Sequence, residues 1–93
     1  KFAHDEELKF KAMARRNKLL GLWVAEKLGK TGDEADAYAR EVIKADFEEA
    51  GDEDVFRKVR ADIDAAGIDL SDHQIRRTME ELLAQAVDQI TNT

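Results

Sequence analysis

Apolar residues recur at helical spacing in three stretches of this chain and crowd together in a fourth. From Thr31 the stripe is Ala35, Tyr38, Val42 with Ile43, then Phe47. From the acidic cluster Asp52, Glu53, Asp54 it is Val55, Phe56, Val59, Ile63 and Ala66. After Ser71 it is Ile75, Met79, Leu82, Leu83, Ala86 and Ile90. Steps of three and four place each set on one face of an α-helix. The remaining segment, about Ala3 to Leu28, behaves differently. Its second half holds Leu19, Leu20, Leu22, Trp23, Val24 and Leu28, which point to nearly every side. A helix apolar all round is a buried one. This half is therefore expected to be the central element on which three amphipathic helices pack, with Trp23 in the core.

Local chemistry marks where the helices begin and end. Gly29 fits the left-handed position after a helix C-terminus, with Lys27 and Lys30 near the negative end of the dipole. Thr31 and Glu34 have the spacing of a capping box, as do Ser71 and Gln74, and Leu70 and Ile75 occupy the two positions of a hydrophobic staple. Gly51 is expected to end the second helix. Asp52, Glu53 and Asp54 suit the positive end of the third. Gly67 is expected to stop the third, with Ile68 folding back on its last turn. Short connections favour antiparallel neighbours. The expected fold class is all-α: a small four-helix bundle with an extended N-terminal helical arm, residues 1–18, on a bundle core, residues 19–93.

The arm is the part that this bundle does not require. From Ala3 to Lys18 the large apolar residues are only Leu8, Phe10 and Met13. Helicity there is supported by the acid-before-base pairs Asp5 with Lys9 and Glu7 with Lys11, each worth ~0.3 kcal/mol on an exposed helix. Ala12 and Ala14 add propensity. Isolated helices of this length are marginal in water, so the arm is expected to fray until something binds it.

Composition narrows the possible partners. The chain has 93 residues, one domain's worth, with no Pro and no Cys. Lacking Cys, it has no disulfide framework and no thiolate ligand or nucleophile. It starts at Lys1 rather than Met, which raises the expectation of an upstream segment. The net charge of −6 is unevenly spread. Residues 1–18 carry six bases and three acids, a net of +3, whereas the remainder, with nine bases and eighteen acids, carries −9. An acidic body disfavours nucleic acid, whose binding rests on phosphate neutralisation. No apolar run approaches membrane-spanning length. A basic arm on an acidic body suggests that the arm meets something else, although composition alone favours the plainer reading of a solvated helix face.

Several motifs come close to a site and fail. Gly29-Lys30-Thr31 has the ending of a phosphate-binding loop, but position 24 is Val where that loop needs Gly, and a helix precedes it instead of a strand. Asp62, Asp64 and Gly67 match three positions of a calcium loop. Position 5 of that loop is then Ala66 and position 12 is His73, so they are read as solvent-facing helix residues. His4 and His73 lack the partners of a metal site; His4 could sense pH if the arm docks. Ser71 is accounted for by capping. Arg76-Arg77 is too small a basic spot to read DNA. No catalytic residue, metal ligand or cofactor is expected, so the chain is read as a non-enzyme.

The block KFAHDEELKFKAMARRNKLLGLW (Lys1 to Trp23) resembles the zeta-type inhibitor subunit of the alphaproteobacterial F-type ATP synthase. The resemblance extends through GKTGDEADAYA (Gly29 to Ala39) and GDEDVFRKV (Gly51 to Val59). Within it, EELKFKAMAR is similar to the inhibitory helix of the mitochondrial ATPase inhibitor protein, of the form E-E-R-Y-F-R-A-x-A-R/K. Glu6 and Glu7 match the paired acids, Phe10 the aromatic, Lys11 the base after it, and Ala12, Ala14 and Arg15 the rest. Leu8 stands where that family has Arg, and Lys9 where it has Tyr, so one aromatic anchor is missing.

The resemblance implies an inhibitor of ATP hydrolysis whose N-terminal helix wedges between catalytic subunits of the head, sparing synthesis. The implied partners are the alpha, beta and gamma subunits, and residues upstream of the arm are implied to matter. The implied location is cytoplasmic, peripheral to the inner membrane through the synthase. The partner-binding candidates are Phe2, His4, Glu6, Glu7, Phe10, Met13, Arg15 and Arg16. Glu6 and Phe10 are i,i+4 and share a face, with Met13 following; Arg15 and Arg16 would meet the rim of the partner's groove. A wedge needs no active site. Two other readings stand beside this one. The first is a helical module binding ATP or ADP weakly near Lys30. The second is an adaptor using the same arm on an unrelated protein.

Overall fold

The computed structural model describes residues 2–46 and 53–91, with backbone alone for residues 2–5. Four helices account for nearly all of it: α1 (Phe2–Lys27), α2 (Gly32–Ala45), α3 (Glu53–Ala65) and α4 (Asp72–Thr91). No strand occurs among the described residues. The all-α four-helix bundle is thus the architecture of the chain.

Each stop and start has a local cause. At the end of α1, Lys30 N–H donates to the Ala25 carbonyl (2.9 Å) and Gly29 N–H to that of Glu26 (3.1 Å), with Gly29 at φ +79°. After α3, Ile68 N–H donates to Ile63 (3.1 Å) and Gly67 N–H to Asp64 (3.0 Å), with Gly67 at φ +72°. This pair of reversed bonds satisfies carbonyls that a helix end leaves open. Ile68 then packs against the core, as expected. The box at α4 closes in both directions: Gln74 N–H donates to Ser71 Oγ (3.1 Å) and Ser71 N–H to Gln74 Oε1 (2.9 Å). The box expected at α2 does not form. Thr31 is the N-cap residue, but its side chain makes no cap bond, and Glu34 N–H reaches only the Thr31 backbone carbonyl (3.2 Å). Phe47 and Gly51, expected in and after α2, and Asp52 of the acidic cluster lie outside the described residues.

Side-chain pairings show that successive helices run antiparallel. Asn17 of α1 bonds Asp46 at the end of α2 while Gly21 lies against Ala39; Tyr38 of α2 bonds Asp62 of α3 while Glu41 bonds Lys58. Arg60 of α3 bonds Asp72, and Glu53 bonds Arg76 of α4. The core is Leu20 and Val24 with Tyr38, Val42, Val55, Val59, Ile63, Ile75 and Met79. Trp23 is only half-buried against it, with the Lys27 ammonium 5.3 Å from its ring centroid. Ala66, expected in the α3 stripe, is exposed in the turn.

Helix lengths are unequal, and this shapes the molecule. At 1.5 Å per residue α1 is about 39 Å long, α4 about 30 Å, and α2 and α3 each about 20 Å. Because α2 has ended by the level of Asn17, the first half of α1 continues beside the second half of α4. The overall extents, 45 × 26 × 22 Å, reflect that projection.

Candidate functional site

The first half of α1 has two unlike faces. Outward stand Glu6, Glu7, Lys9, Phe10, Lys11, Arg15 and Lys18, all exposed. Phe10 is 62% exposed, the most open large apolar side chain among the described residues. Glu7 and Lys11 form the expected ion pair at 3.1 Å. Both partners are largely exposed, so the pair adds only a few tenths of a kcal/mol of helicity. The side chains of Phe2, His4 and Asp5 lie outside the described residues.

The inner face is less empty than the pattern implied. Along α1 every fourth residue turns inward: Leu8 half-buried, Ala12 4% exposed, Arg16 1%, Leu20 and Val24 0%. Burial therefore begins at Ala12, ahead of Lys18. Leu8, Ala12 and Met13 line one groove with Leu83, Val87 and Ile90 of α4, flanked by Lys9 and Thr91, with a volume of about 340 Å³. Met13, expected to stand free beside Phe10, is half-buried along this groove.

Arg16 is the clearest correction. It was expected on the rim of a partner's groove, and it is buried in the chain's own fold. Its Nε donates to Asn17 Oδ1 (2.8 Å), and Asn17 Nδ2 donates to Asp46 Oδ2 (2.9 Å). The Arg stem fills the place of a Leu in the stripe while its Nε is hydrogen-bonded to Asn17, since a buried polar head requires a partner. The same side chain lines a small cleft with Arg76, Met79, Glu80 and Leu83 of α4. Sequence reasoning missed Asn17 as its partner, and Asp46 as the partner of Asn17. The available sign was that Arg16 falls four residues after Ala12 and four before Leu20.

The other candidates are absorbed by the fold. Asp64 is solvent-facing as expected, but Asp62 is only partly so: it accepts from Tyr38 Oη (2.7 Å) and pairs with Lys58 (2.9 Å). Lys58 also reaches Glu41 (2.8 Å) and lies 5.1 Å from the Tyr38 ring centroid. Burial, then the bond to Asp62, pushes the Tyr38 phenol far above its ordinary value. Burial pulls the Lys58 ammonium down, but its two carboxylate partners outweigh that and leave it raised. A hollow of about 390 Å³ beside Lys30 is lined by Tyr38, Glu41, Lys58 and Asp62. Arg76 stacks on Phe56, 3.9 Å from its centroid, and pairs with Glu53 (3.1 Å); Arg77 pairs with Glu81 (3.4 Å). His73 is exposed. Among the described residues, no three or more His, Asp or Glu side chains are grouped to hold a metal. No helix among them is long and apolar enough to cross a membrane.

The profile of a family described as ATPase inhibitor subunit zeta matches residues 1–89 of the chain. A protein solved by solution NMR superposes with a TM-score of 0.81 at 58% sequence identity, over 91% of this chain and 96% of that one. A search of curated proteins found no match.

Proposed function

The chain belongs to the ATPase inhibitor subunit zeta family, and from that premise we propose that it inhibits ATP hydrolysis by an F-type ATP synthase. Its means is the exposed face of α1, inserted as a helix between catalytic subunits of the head. Phe10 carries this reading: a large aromatic, 62% exposed, on a helix that projects past the end of α2. A desolvated aromatic beside a charge-paired acid is a common form of interface anchor. Phe10 fills an apolar pocket of the partner, Glu6 one turn earlier pairs with one of its bases, and Arg15 meets its rim. Arg16 instead fixes the arm to the bundle. The four-helix core stays outside the enzyme as an anchor, peripheral to the membrane that holds the synthase.

ATP hydrolysis by an isolated F-type catalytic head tests this, with the chain added as wild type, Phe10→Ala and Glu6→Ala, alongside an upstream-extended form. The expected result is inhibition that weakens about tenfold or more in both variants while their melting temperatures hold. Inhibition by the extended form alone would move the inhibitory element upstream of Lys1. Failure of both wild-type forms would end the reading and leave the adaptor alternative.

A nucleotide reading gains nothing from the hollow beside Lys30. Of the two half-buried ammonium groups that line it, Lys30 and Lys58, Lys58 is already paired with Glu41 and Asp62, whose charges would repel a polyphosphate.

A further inference from the structure

We propose that the last turns of α4 hold the inhibitory arm. In this reading Leu83, Val87 and Ile90 are positioning residues that keep Leu8 to Met13 helical with Phe10 turned outward. The use of the arm rests on the inhibitor reading; the holding of it does not.

Beyond Leu82, which packs against the core, the second half of α4 has little work in the four-helix core. Of its residues after Met79, only Ala86 is fully buried, and α3 and α2 are too short to accompany it. Yet the helix keeps apolar residues at steps of four and three, Leu83, Val87 and Ile90. These line the groove shared with Leu8, Ala12 and Met13. Val87, 43% exposed, is the second most open large apolar residue described. A surface Val flanked by half-buried Leu83 and Ile90 has a purpose if its neighbour is the arm.

Two considerations make this a holder instead of a cover. A charged helix of the arm's length is marginal alone, so α4 supplies the tertiary packing that the arm's own sequence lacks. The contact also covers only the side bearing Leu8, Ala12 and Met13. Phe10 and Glu6 remain exposed, so the face offered to the partner is already free. A helix ordered before docking gives up less conformational freedom when it binds.

The test uses the full chain as wild type, Val87→Asp and Ile90→Asp, with Val87→Ile as the conservative variant. Amide exchange is followed at residues 8–14, with Val24 and Ile63 as bundle references. Exchange in the arm is expected to speed up about tenfold or more in both Asp variants, with the bundle unchanged and Val87→Ile like wild type. Inhibition of the catalytic head is expected to weaken several-fold in the same variants. Unchanged arm exchange would overturn the proposal. Faster exchange with stronger inhibition would overturn it too, since α4 would then be a lid. If wild type does not inhibit the head at all, the inhibitor reading falls, and arm exchange, which needs no enzyme, still decides whether α4 holds the arm.

Discussion

A Cβ placed on Gly21 would lie 2.5 Å from the Ala39 Cα and 3.0 Å from its Cβ. The axes of α1 and α2 approach so closely there that α1 has room for a hydrogen and nothing larger. Gly in a helix interior costs about 1 kcal/mol relative to Ala. Here that cost is offset by the contact it permits.

Gly21→Ala is therefore expected to destabilise the chain, although Ala is the better helix former. Overpacking costs about 1–3 kcal/mol, which exceeds the propensity gain of about 1. Urea unfolding should show a lower midpoint. A raised midpoint would mean the two helices part easily.

Asn17→Ala removes the bonds to Arg16 and Asp46 from a site that is 1% exposed. Hydrogen bonds to charged groups contribute about 1.5–3 kcal/mol, so a loss of that order is expected in equilibrium unfolding. Phe10→Ala should stay within about 0.5 kcal/mol of wild type, as surface substitutions do. Comparable losses in the two variants would contradict the burial of one and the exposure of the other.

Capping gives a paired prediction. Ser71→Ala breaks a two-way box and is expected to cost about 1 kcal/mol, whereas Thr31→Ala, with no side-chain cap bond to lose, should cost far less. Thermal melts of the two variants side by side would check the order.

Alkaline pH tests the junction of α2 and α3. Tyr38, ordinarily near 10.0, and Lys58, ordinarily near 10.5, both hold their protons more tightly in the folded chain. For Tyr38 the first cause is burial, then Asp62; for Lys58, bonds to Glu41 and Asp62 outweigh a burial effect of opposite sign. Between the unfolded and the raised folded values the native state binds more protons, so stability falls as pH rises. The melting temperature should be insensitive to these groups below about pH 10 and decline above it. Tyr38→Phe should make that decline shallower.

The sequence by itself determined the helices, because each carries its own reasons. Steps of three and four set their faces, Gly29 and Gly67 supplied the left-handed stops, and Ser71 with Gln74 closed a box within four residues. Phe10 was equally legible as an apolar residue with no core to join, and so was the resemblance to inhibitor subunits. Tertiary structure decided what depends on neighbours distant in the chain. Thr31 has the right spacing for a cap and does not use it. Asp62, read as solvated, is held by Tyr38 from another helix. Arg16 looked like a surface base because its charge conceals an apolar stem; only Asp46, which holds the neighbouring Asn17, and the flank of α4 around it make burial affordable. Sequence period tells which side of a helix is apolar. Which helices are long enough to meet that side, and where they end, is settled only when α1 and α4 outrun the other two.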